Sequence, residues 1–299
     1  MLYKYRNINE WTISALETQK IWLAKPSTLN DPLECRPPIF NKDEIYNHCA
    51  KTWGAQLLGF LHQIIFCKEN GEHFFGISGR ELDKLFRKIN KQNSLEKKIR
   101  VANRFKLSVG SQEFADPSIT INSIQNHLKN IGVCSLSEDP LSTLLWSHYS
   151  AEHRGVALGF EVTPGSKLAN KKYCSKVDYI ETLPKYSLDD FSRRELTIYA
   201  GPRRPENKVL FDDPTIRKIL STKISDWSYE KEWRYFERDS GSYDFPSKLS
   251  EIVFGANTKD DEIDKIIQTC HAHIPYDITF KKCFYATNSS SLQLKKIKR

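Results

Sequence analysis

The chain has 299 residues, of which 39% are hydrophobic and 12% aromatic, a composition that supports a sizeable buried core and excludes a disordered chain. Its most apolar stretch, residues 53–67, is shorter than the roughly 20 residues that span a bilayer, so we expect a buried helix and no membrane partner. The start lacks a signal-peptide pattern and the seven cysteines are scattered without C-x-x-C spacing, so we expect reduced thiols and a cytoplasmic protein.

Helical signals dominate the N-terminal half of the chain. An alternating strand at residues 2–6 precedes a helix at about 13–21 and a proline-rich, structured loop at 25–38. From residue 43 to about 130 the periodicity is helical and increasingly basic. We therefore expect a single α+β domain over residues 1–299, with a largely helical, basic insertion at 43–130.

Strand signals dominate the C-terminal half. A helix with acidic residues in its first turn is expected at about 260–270. Strands are expected at 131–137, 155–161, 176–180, 227–236, 251–255 and, last, 278–286. This order predicts an α+β fold with a mixed or antiparallel central sheet.

Two glutamates, Glu230 and Glu232, are two positions apart in the segment 227–236. A strand would place them on one side, about 7 Å apart. One carboxylate could then stabilise a developing cation while the other orients an acceptor. The alternative is a solvated strand face on which they have ion-pair partners such as Arg234 and Lys223.

Other polar and aromatic side chains suit a nucleotide-like ligand. The hydroxyls of a strand face could bond a ribose, an arginine could bind a phosphate, and flat rings could stack on a base. The alternatives are strand-end caps, loop braces and core aromatics. The candidates are Tyr5, Arg6, Asn30, Asp31, Ser135, Ser137, Trp146, His148 and Tyr149.

The positive charge is concentrated between residues 80 and 106, which hold ten Lys or Arg against three acids. A basic helix is a common binding surface for nucleic acid, and Lys97, Lys98, Arg100 and Arg104 are the candidate contacts. The alternative is a solvated charged helix. No P-loop, Rossmann or H-E-x-x-H motif occurs, and no metal site is expected.

Several motifs in chain order resemble a bacterial domain-of-unknown-function family, number 2971, from Leu2 to about Gly255. They are L-Y-K-Y-R, L-N-D-P-L-E, C-S-L-S-E-D, L-L-W-S-H-Y-S, H-R-G-V-A-L-G-F, K-I-S-D-W-S-Y-E-K-E-W-R and I-V-F-G. That resemblance names a family without an activity.

An arginine on the first strand, a Ser-x-Ser strand and a late Glu-x-Glu also resemble the pattern of ADP-ribosyltransferases, which cleave NAD. The resemblance implies an ADP-ribosyltransferase-like core with NAD as substrate. By position, Glu232 would be the catalytic carboxylate and Glu230 would meet the acceptor. Arg6 would contact the ribose or pyrophosphate, and Ser135 would support the nicotinamide ribose.

The function implied by this resemblance is NAD-dependent ADP-ribosylation of a nucleic acid or a protein. A toxin or antiviral effector, with a cognate inhibitor or antitoxin as partner, would fit that activity. Two alternatives stay open: a nucleic-acid-binding module with structural carboxylates, and a nuclease that uses Glu230 and Glu232 with a divalent metal.

Overall fold

A computed structural model describes residues 1–198, 204–286 and 291–297, and its chain forms two compact units. Unit 1 comprises Met1–Arg36, His127–Pro184 and Lys218–Arg299. Unit 2 comprises Pro37–Asn126 and Lys185–Arg217. The segment predicted as a helical insertion supplies most of unit 2.

The strands are β1 (Leu2–Arg6), β2 (Lys20–Leu23), β3 (Gly132–Ser137), β4 (Val156–Phe160), β5 (Cys174–Lys176), β6 (Asp178–Ile180), β7 (Arg194–Thr197), β8 (Glu206–Val209), β9 (Thr222–Ile224), β10 (Glu232–Glu237), β11 (Gly241–Asp244), β12 (Leu249–Phe254), β13 (Thr279–Tyr285) and β14 (Leu292–Lys296). The α-helices are α1 (Glu10–Thr18), α2 (Lys42–Glu69), α3 (Arg80–Asn90), α4 (Leu95–Ser108), α5 (Ser118–Asn130), α6 (Thr143–Tyr149), α7 (Pro214–Leu220) and α8 (Asp260–His273).

An eight-stranded sheet forms the centre of unit 1, in the order β14-β13-β12-β4-β1-β3-β10-β5. The ladder between β12 and β13 is parallel, and the other ladders of this sheet are antiparallel. The predicted α+β class with a mixed, largely antiparallel central sheet is therefore confirmed.

Strand alternation divides the residues of the sheet between two apolar layers. On one face, Leu2 and Leu136 join a core that includes Leu16 of α1 and Ile263 of α8. On the other face, Tyr3 and Tyr5 pack in a second cluster with Leu145 and Trp146 of α6. The second face carries the candidate site.

Strand β1 pairs with β4 along its whole length but shares a single described ladder pair with β3, Tyr3 with Ser137. On the other side of β3, Ser137 pairs with Glu232 and Ser135 pairs with Arg234 of β10. Tyr3, Ser137 and Glu232 therefore lie side by side across three strands.

The predicted strand at 227–236 is wrong over its first part. Residues Ser225–Glu230 form a 3-10 helix, and Lys231 follows it with a left-handed backbone, φ 45°. Strand β10 begins only at Glu232. Because the left-handed residue interrupts the alternation, Glu230 and Glu232 do not share a strand face.

Most other predicted elements of unit 1 are present. The strand predicted at 176–180 is divided, since β5 pairs in the central sheet and β6 pairs with β9. The strand predicted as the last one, β13, is followed by β14. The first helix ends at Thr18, before the predicted 21, because Gln19 adopts a left-handed cap with φ 52°.

Helices α2, α3 and α4 of unit 2 pack around an apolar core of their own. Leu57, Phe60 and Ile64 of α2 meet Leu82 and Ile89 of α3 in this cluster. The helix predicted at 53–67 is part of α2, but it is buried along one face only, since Leu58 and Phe66 are exposed. Asn41 and Ser94 cap α2 and α4 by accepting backbone N–H groups of the first turn.

Candidate functional site

A cavity of about 270 Å³ lies in unit 1, bounded by β1, β3, the start of β10 and α6. Seven of the predicted site residues line it: Tyr5, Asn30, Ser135, Ser137, Tyr149, Glu230 and Glu232. These residues come from positions far apart in the sequence, and the fold brings them to one place.

Two predicted residues near α6 lie outside the cavity lining. Trp146 is fully buried, its indole N–H donates to the Pro140 carbonyl at 2.9 Å, and its ring meets the Tyr5 ring edge-on at 4.9 Å. His148 is exposed to solvent. Trp146 is therefore a core aromatic, which was the alternative interpretation.

Arg6 and Asp31 also lie outside the cavity lining. Arg6 is on the pleat of β1 opposite Tyr3 and Tyr5, and burial lowers its pKa. Asp31 is buried and accepts the backbone N–H of Leu33 at 2.8 Å. Its contact is that of a loop brace.

Five charged side chains are buried at one side of the cavity, none more than 5% exposed. The charged cluster consists of Glu34, Lys223, Glu230, Glu232 and Arg234. With three carboxylates and two cations, its formal charge is −1. Buried charges persist only when they are paired and hydrogen-bonded, so the contacts within this cluster determine what each carboxylate can do.

Arg234 binds Glu232 through two parallel contacts, Nε to Oε1 at 2.8 Å and Nη2 to Oε2 at 3.0 Å. The same guanidinium contacts Glu34 and donates to the Leu220 carbonyl at 2.7 Å. Burial alone would raise the pKa of Glu232, but Arg234, Lys223 and a hydrogen bond from Ser135 together lower it. Glu232 is therefore held as a carboxylate.

Lys223 serves all three carboxylates. Its ammonium lies 2.8 Å from Glu230 Oε2, 3.5 Å from Glu232 Oε2 and 3.6 Å from Glu34 Oε2. Burial would lower its pKa, but the attraction of these carboxylates raises it. Burial raises the pKa of Glu34 despite Arg234 and Lys223, so Glu34 takes up a proton more readily than Glu232.

Glu230 is positioned by a chain of neutral groups. The Asn30 amide donates to the Tyr149 hydroxyl at 2.6 Å, and that hydroxyl donates to Glu230 Oε1 at 2.8 Å. The Ser137 hydroxyl donates to the backbone carbonyl of Glu230 at 2.6 Å. Burial and the adjacent Glu230 charge raise the pKa of Tyr149, which keeps it a donor.

The two carboxylates are therefore chemically different. Arg234 engages both oxygens of Glu232, and Lys223 is also near one of them. Glu230 faces one cation, at one oxygen, and a neutral hydroxyl at the other. More of the negative charge of Glu230 is left for a ligand. The expected partners Arg234 and Lys223 are present, but the alternative of a solvated face is wrong because the cluster is buried.

Two residues that sequence reasoning missed, Lys4 and Glu34, complete the site, and Lys223 was expected only as an ion-pair partner of the two glutamates. Lys4 lines the cavity, and its ammonium donates to the Ser135 carbonyl at 3.1 Å. Glu34 lies in the proline-rich loop beside Asn30 and Asp31, which was the one available signal for it. A lysine in a short strand carries no sequence signal of burial, so the burial of Lys223 was not foreseen.

Within the described ranges, no group of three or more His, Cys, Asp or Glu side chains is arranged to hold a metal ion. The carboxylates of the charged cluster instead meet Lys223 and Arg234. Among the described helices, none combines the length and the apolar character of a membrane span.

The predicted nucleic-acid contacts lie on α4 of unit 2. Lys97, Arg100 and Arg104 are exposed, and Lys98 is half-buried. The exposed three recur at helical spacing, so they share one side of the helix. They form a surface distinct in composition from the cavity of unit 1.

Comparison with known proteins adds one finding. Residues 145–235 match the model of a family described as protein of unknown function (DUF2971). No curated protein and no solved structure matches the chain. The matched range holds Tyr149, Lys223, Glu230, Glu232 and Arg234, so it covers most of α6 and most of the charged cluster. Over residues 145–235 the chain is similar to the DUF2971 family.

Proposed function

We propose that the cavity of unit 1 is the active site of an NAD-cleaving ADP-ribosyltransferase, whose acceptor is a nucleic acid or a protein. The observation that carries the proposal is the convergence of Ser135, Tyr149, Glu230 and Glu232 on one cavity. We also propose that the central sheet of unit 1 is an ADP-ribosyltransferase-like core.

The reaction breaks the bond between the nicotinamide nitrogen and C1′ of the ribose, and the electron pair leaves with nicotinamide. The ribose becomes oxocarbenium-like as this bond lengthens, and the acceptor then bonds to C1′ and loses its proton to solvent. A fixed carboxylate stabilises this cationic transition state more than the ground state.

We assign the cation-stabilising role to Glu230. Its charge is matched by a single ammonium, Lys223, and Tyr149 fixes its orientation. Glu232, which the motif pattern suggests for this role, is engaged by Arg234 through both oxygens. In our assignment Glu232 keeps Arg234 and Lys223 in place and so positions Glu230.

The cavity suits one end of a dinucleotide. Its volume of about 270 Å³ is below the roughly 300–1,000 Å³ of sites that enclose whole drug-sized ligands, so the nicotinamide and its ribose would occupy it. The rings of Tyr3, Tyr5 and Tyr149 offer flat surfaces for stacking. Lys4, which lines the cavity and lies outside the charged cluster, would contact a phosphate in place of Arg6.

The direct test is nicotinamide release from NAD, with candidate RNA, DNA and protein acceptors present. Changing Glu230→Gln keeps the shape of the side chain and removes its charge. We expect release to fall by roughly 100-fold or more, the scale of losing one electrostatic contact to a transition state.

The matched control is Glu237→Gln, the same change at a buried glutamate of β10 that does not line the cavity. This variant should release nicotinamide at the wild-type rate. The proposal is wrong if Glu230→Gln is as active as wild type, or if wild-type protein releases no nicotinamide with any of the acceptors. A toxin or antiviral role, and a cognate inhibitor, stay predictions.

A further inference from the structure

Unit 2 carries a surface of exposed cations on two neighbouring helices, α3 and α4, and none of these cations forms an ion pair with another residue that the structure describes. We propose that this cationic surface binds single-stranded nucleic acid, with phosphates on the cations and a base in an adjoining groove. The inference rests on the residues of unit 2 and is independent of NAD chemistry in unit 1.

Eight exposed cations follow the outer faces of the two helices, while the buried residues Leu82, Leu85, Ile89 and Ile99 face the core. The ion pairs of unit 2 among described residues involve other cations, Lys51, Lys68, Arg193, Arg204 and Lys208. The cationic surface consists of Arg80, Lys84, Arg87, Lys88, Lys91, Lys97, Arg100 and Arg104.

Positive charge is available to phosphates because these cations outnumber the acids of α3 and α4, which are Glu81, Asp83 and Glu96. On α3, Asp83 pairs with Lys68 of α2 at 2.6 Å, which leaves Glu81 as the other acid of that helix. On α4 the acid is Glu96, in the first turn, where the helix dipole favours a negative charge. The exposed faces of α3 and α4 therefore carry a net positive charge, which attracts a polyanion.

A groove of about 440 Å³ adjoins α4 and, unlike the cationic surface, is lined by aromatic rings as well as charged side chains. Arg100 and Arg104 form one side of it, and Trp53 and Phe114 contribute aromatic rings. Trp53 is half-buried and packs against the helical core, so its ring is fixed in orientation. A fixed ring beside guanidinium groups is suited to stacking on an unpaired base.

The charges inside the groove balance, which suits a base better than a phosphate. Arg204 contacts Glu113, and its Nη1 lies 4.0 Å from Asp116 Oδ2. Glu96 is one helical turn from Arg100 on the same side of α4. The uncompensated charge is outside the groove, along α3 and α4.

A single-stranded nucleic acid could use both the cationic surface and the aromatic groove, whereas a duplex could use only the cationic surface. Its backbone can follow the cations while an unstacked base enters the groove. In a duplex the bases are stacked and paired, so the aromatic groove would remain unused. We therefore expect single-stranded RNA or DNA to bind more tightly than a duplex of the same sequence.

The test uses the full-length protein and a short fluorescein-labelled single-stranded RNA, with binding followed by anisotropy at several salt concentrations. For the double variant Lys84→Gln with Lys88→Gln, two exposed cations of α3 outside the groove, we expect binding weaker by roughly tenfold. The slope of log affinity against log salt should become shallower by about 1.4, or 0.7 for each lost phosphate contact. Trp53→Leu should weaken binding roughly fivefold or more and leave the slope unchanged.

The control is Arg238→Gln with Lys265→Gln, which removes the same charge from exposed positions of unit 1. It should bind RNA as wild type does, and thermal unfolding should verify that each variant is folded. The inference is overturned if the control loses as much affinity as the α3 variant. It is also overturned if wild-type protein does not bind the RNA, or binds the duplex or heparin as tightly.

Discussion

Arg234 is the residue on which the charged cluster depends most. It is fully buried and contacts two carboxylates, Glu34 and Glu232, as well as the Leu220 carbonyl. Lys223 alone could not compensate three carboxylates that are shielded from solvent. Removing one partner of a buried ion network leaves charge without compensation, which is far more destabilising than loss of an exposed ion pair.

We therefore predict that Arg234→Met lowers the free energy of unfolding by about 3–5 kcal/mol. Urea unfolding followed by circular dichroism measures this loss. Arg238→Met, an exposed arginine just beyond the end of β10, is the matched control and should change stability by no more than about 0.5 kcal/mol. Equal stability of the two variants would mean that the cluster is not held by Arg234.

At the scale of elements, the ends of β4 and β12 meet a turn with an unusual backbone. Ala151, Glu152 and His153 are consecutive non-glycine residues with φ of 47°, 54° and 68°. The His153 carbonyl accepts the Asn257 N–H at 2.9 Å, and the Gly255 N–H donates to the Gly155 carbonyl at 3.0 Å. The turn is thus locked against the end of β12.

This lock requires glycine at position 255. A Cβ there would lie 2.1 Å from the His153 oxygen and 2.5 Å from its carbonyl carbon, so backbone atoms would have to move. We expect Gly255→Ala to reduce the free energy of unfolding by about 1–3 kcal/mol or more, the usual cost of overpacking. Chemical denaturation curves provide the measurement.

Gly54→Ala should change the free energy of unfolding in the opposite direction to Gly255→Ala. Gly54 lies within α2, and a Cβ there would meet no atom within 4 Å. Alanine favours the helix, so this variant should gain up to about 1 kcal/mol. A Gly255→Ala protein as stable as wild type would show that the His153 turn can shift freely.

Sequence patterns predict elements well where burial follows a simple period. The alternation in β1, the apolar run of β4 and the acidic first turn of α8 each have one dominant cause. The segment 225–237 has no single dominant cause of its structure. Its aromatic residues predicted one strand, but the left-handed backbone of Lys231 separates a 3-10 helix from β10. That backbone change depends on tertiary contacts, which the period of side chains does not report.

The candidate site shows the same division. Glu230, Ser135 and Tyr149 were predicted because polar and aromatic side chains stand out within strand and helix patterns. Lys4 was not predicted, and Lys223 was expected only on a solvated face, since a cation in an amphipathic strand ordinarily faces solvent. Which side of a sheet a loop such as 25–38 reaches is decided by chain topology, so the contribution of Glu34 could not be foreseen.

At the scale of the whole molecule, charge is used in two ways. The charged cluster of unit 1 buries three carboxylates with two cations, whereas unit 2 exposes cations along α3 and α4. The net charge of +8 therefore describes the surface more than the interior. The charged cluster should determine how global stability depends on pH, because the pKa values of its carboxylates are shifted in opposite directions.

Glu232 and Glu34 should change the free energy of unfolding in opposite directions as the pH is lowered. The pKa of Glu232 lies below its ordinary 4.5 in the folded protein, so its stabilisation is present above that value and is lost as pH falls through the folded pKa. The pKa of Glu34 is raised, mainly by burial, so its contribution is fully present below 4.5 and is lost as pH rises.

We therefore predict that Glu232→Gln flattens the loss of stability as pH falls below 4.5, whereas Glu34→Gln removes a gain of stability as pH falls towards 4.5 and so makes the net loss in that range steeper. Each unit of pKa difference corresponds to about 1.4 kcal/mol. Urea unfolding at a series of pH values gives the slopes. Both variants replace one buried carboxylate of the same cluster by an amide, so a general effect of losing charge would change both slopes alike. Slopes that move in the same direction would contradict the assignment of opposite shifts.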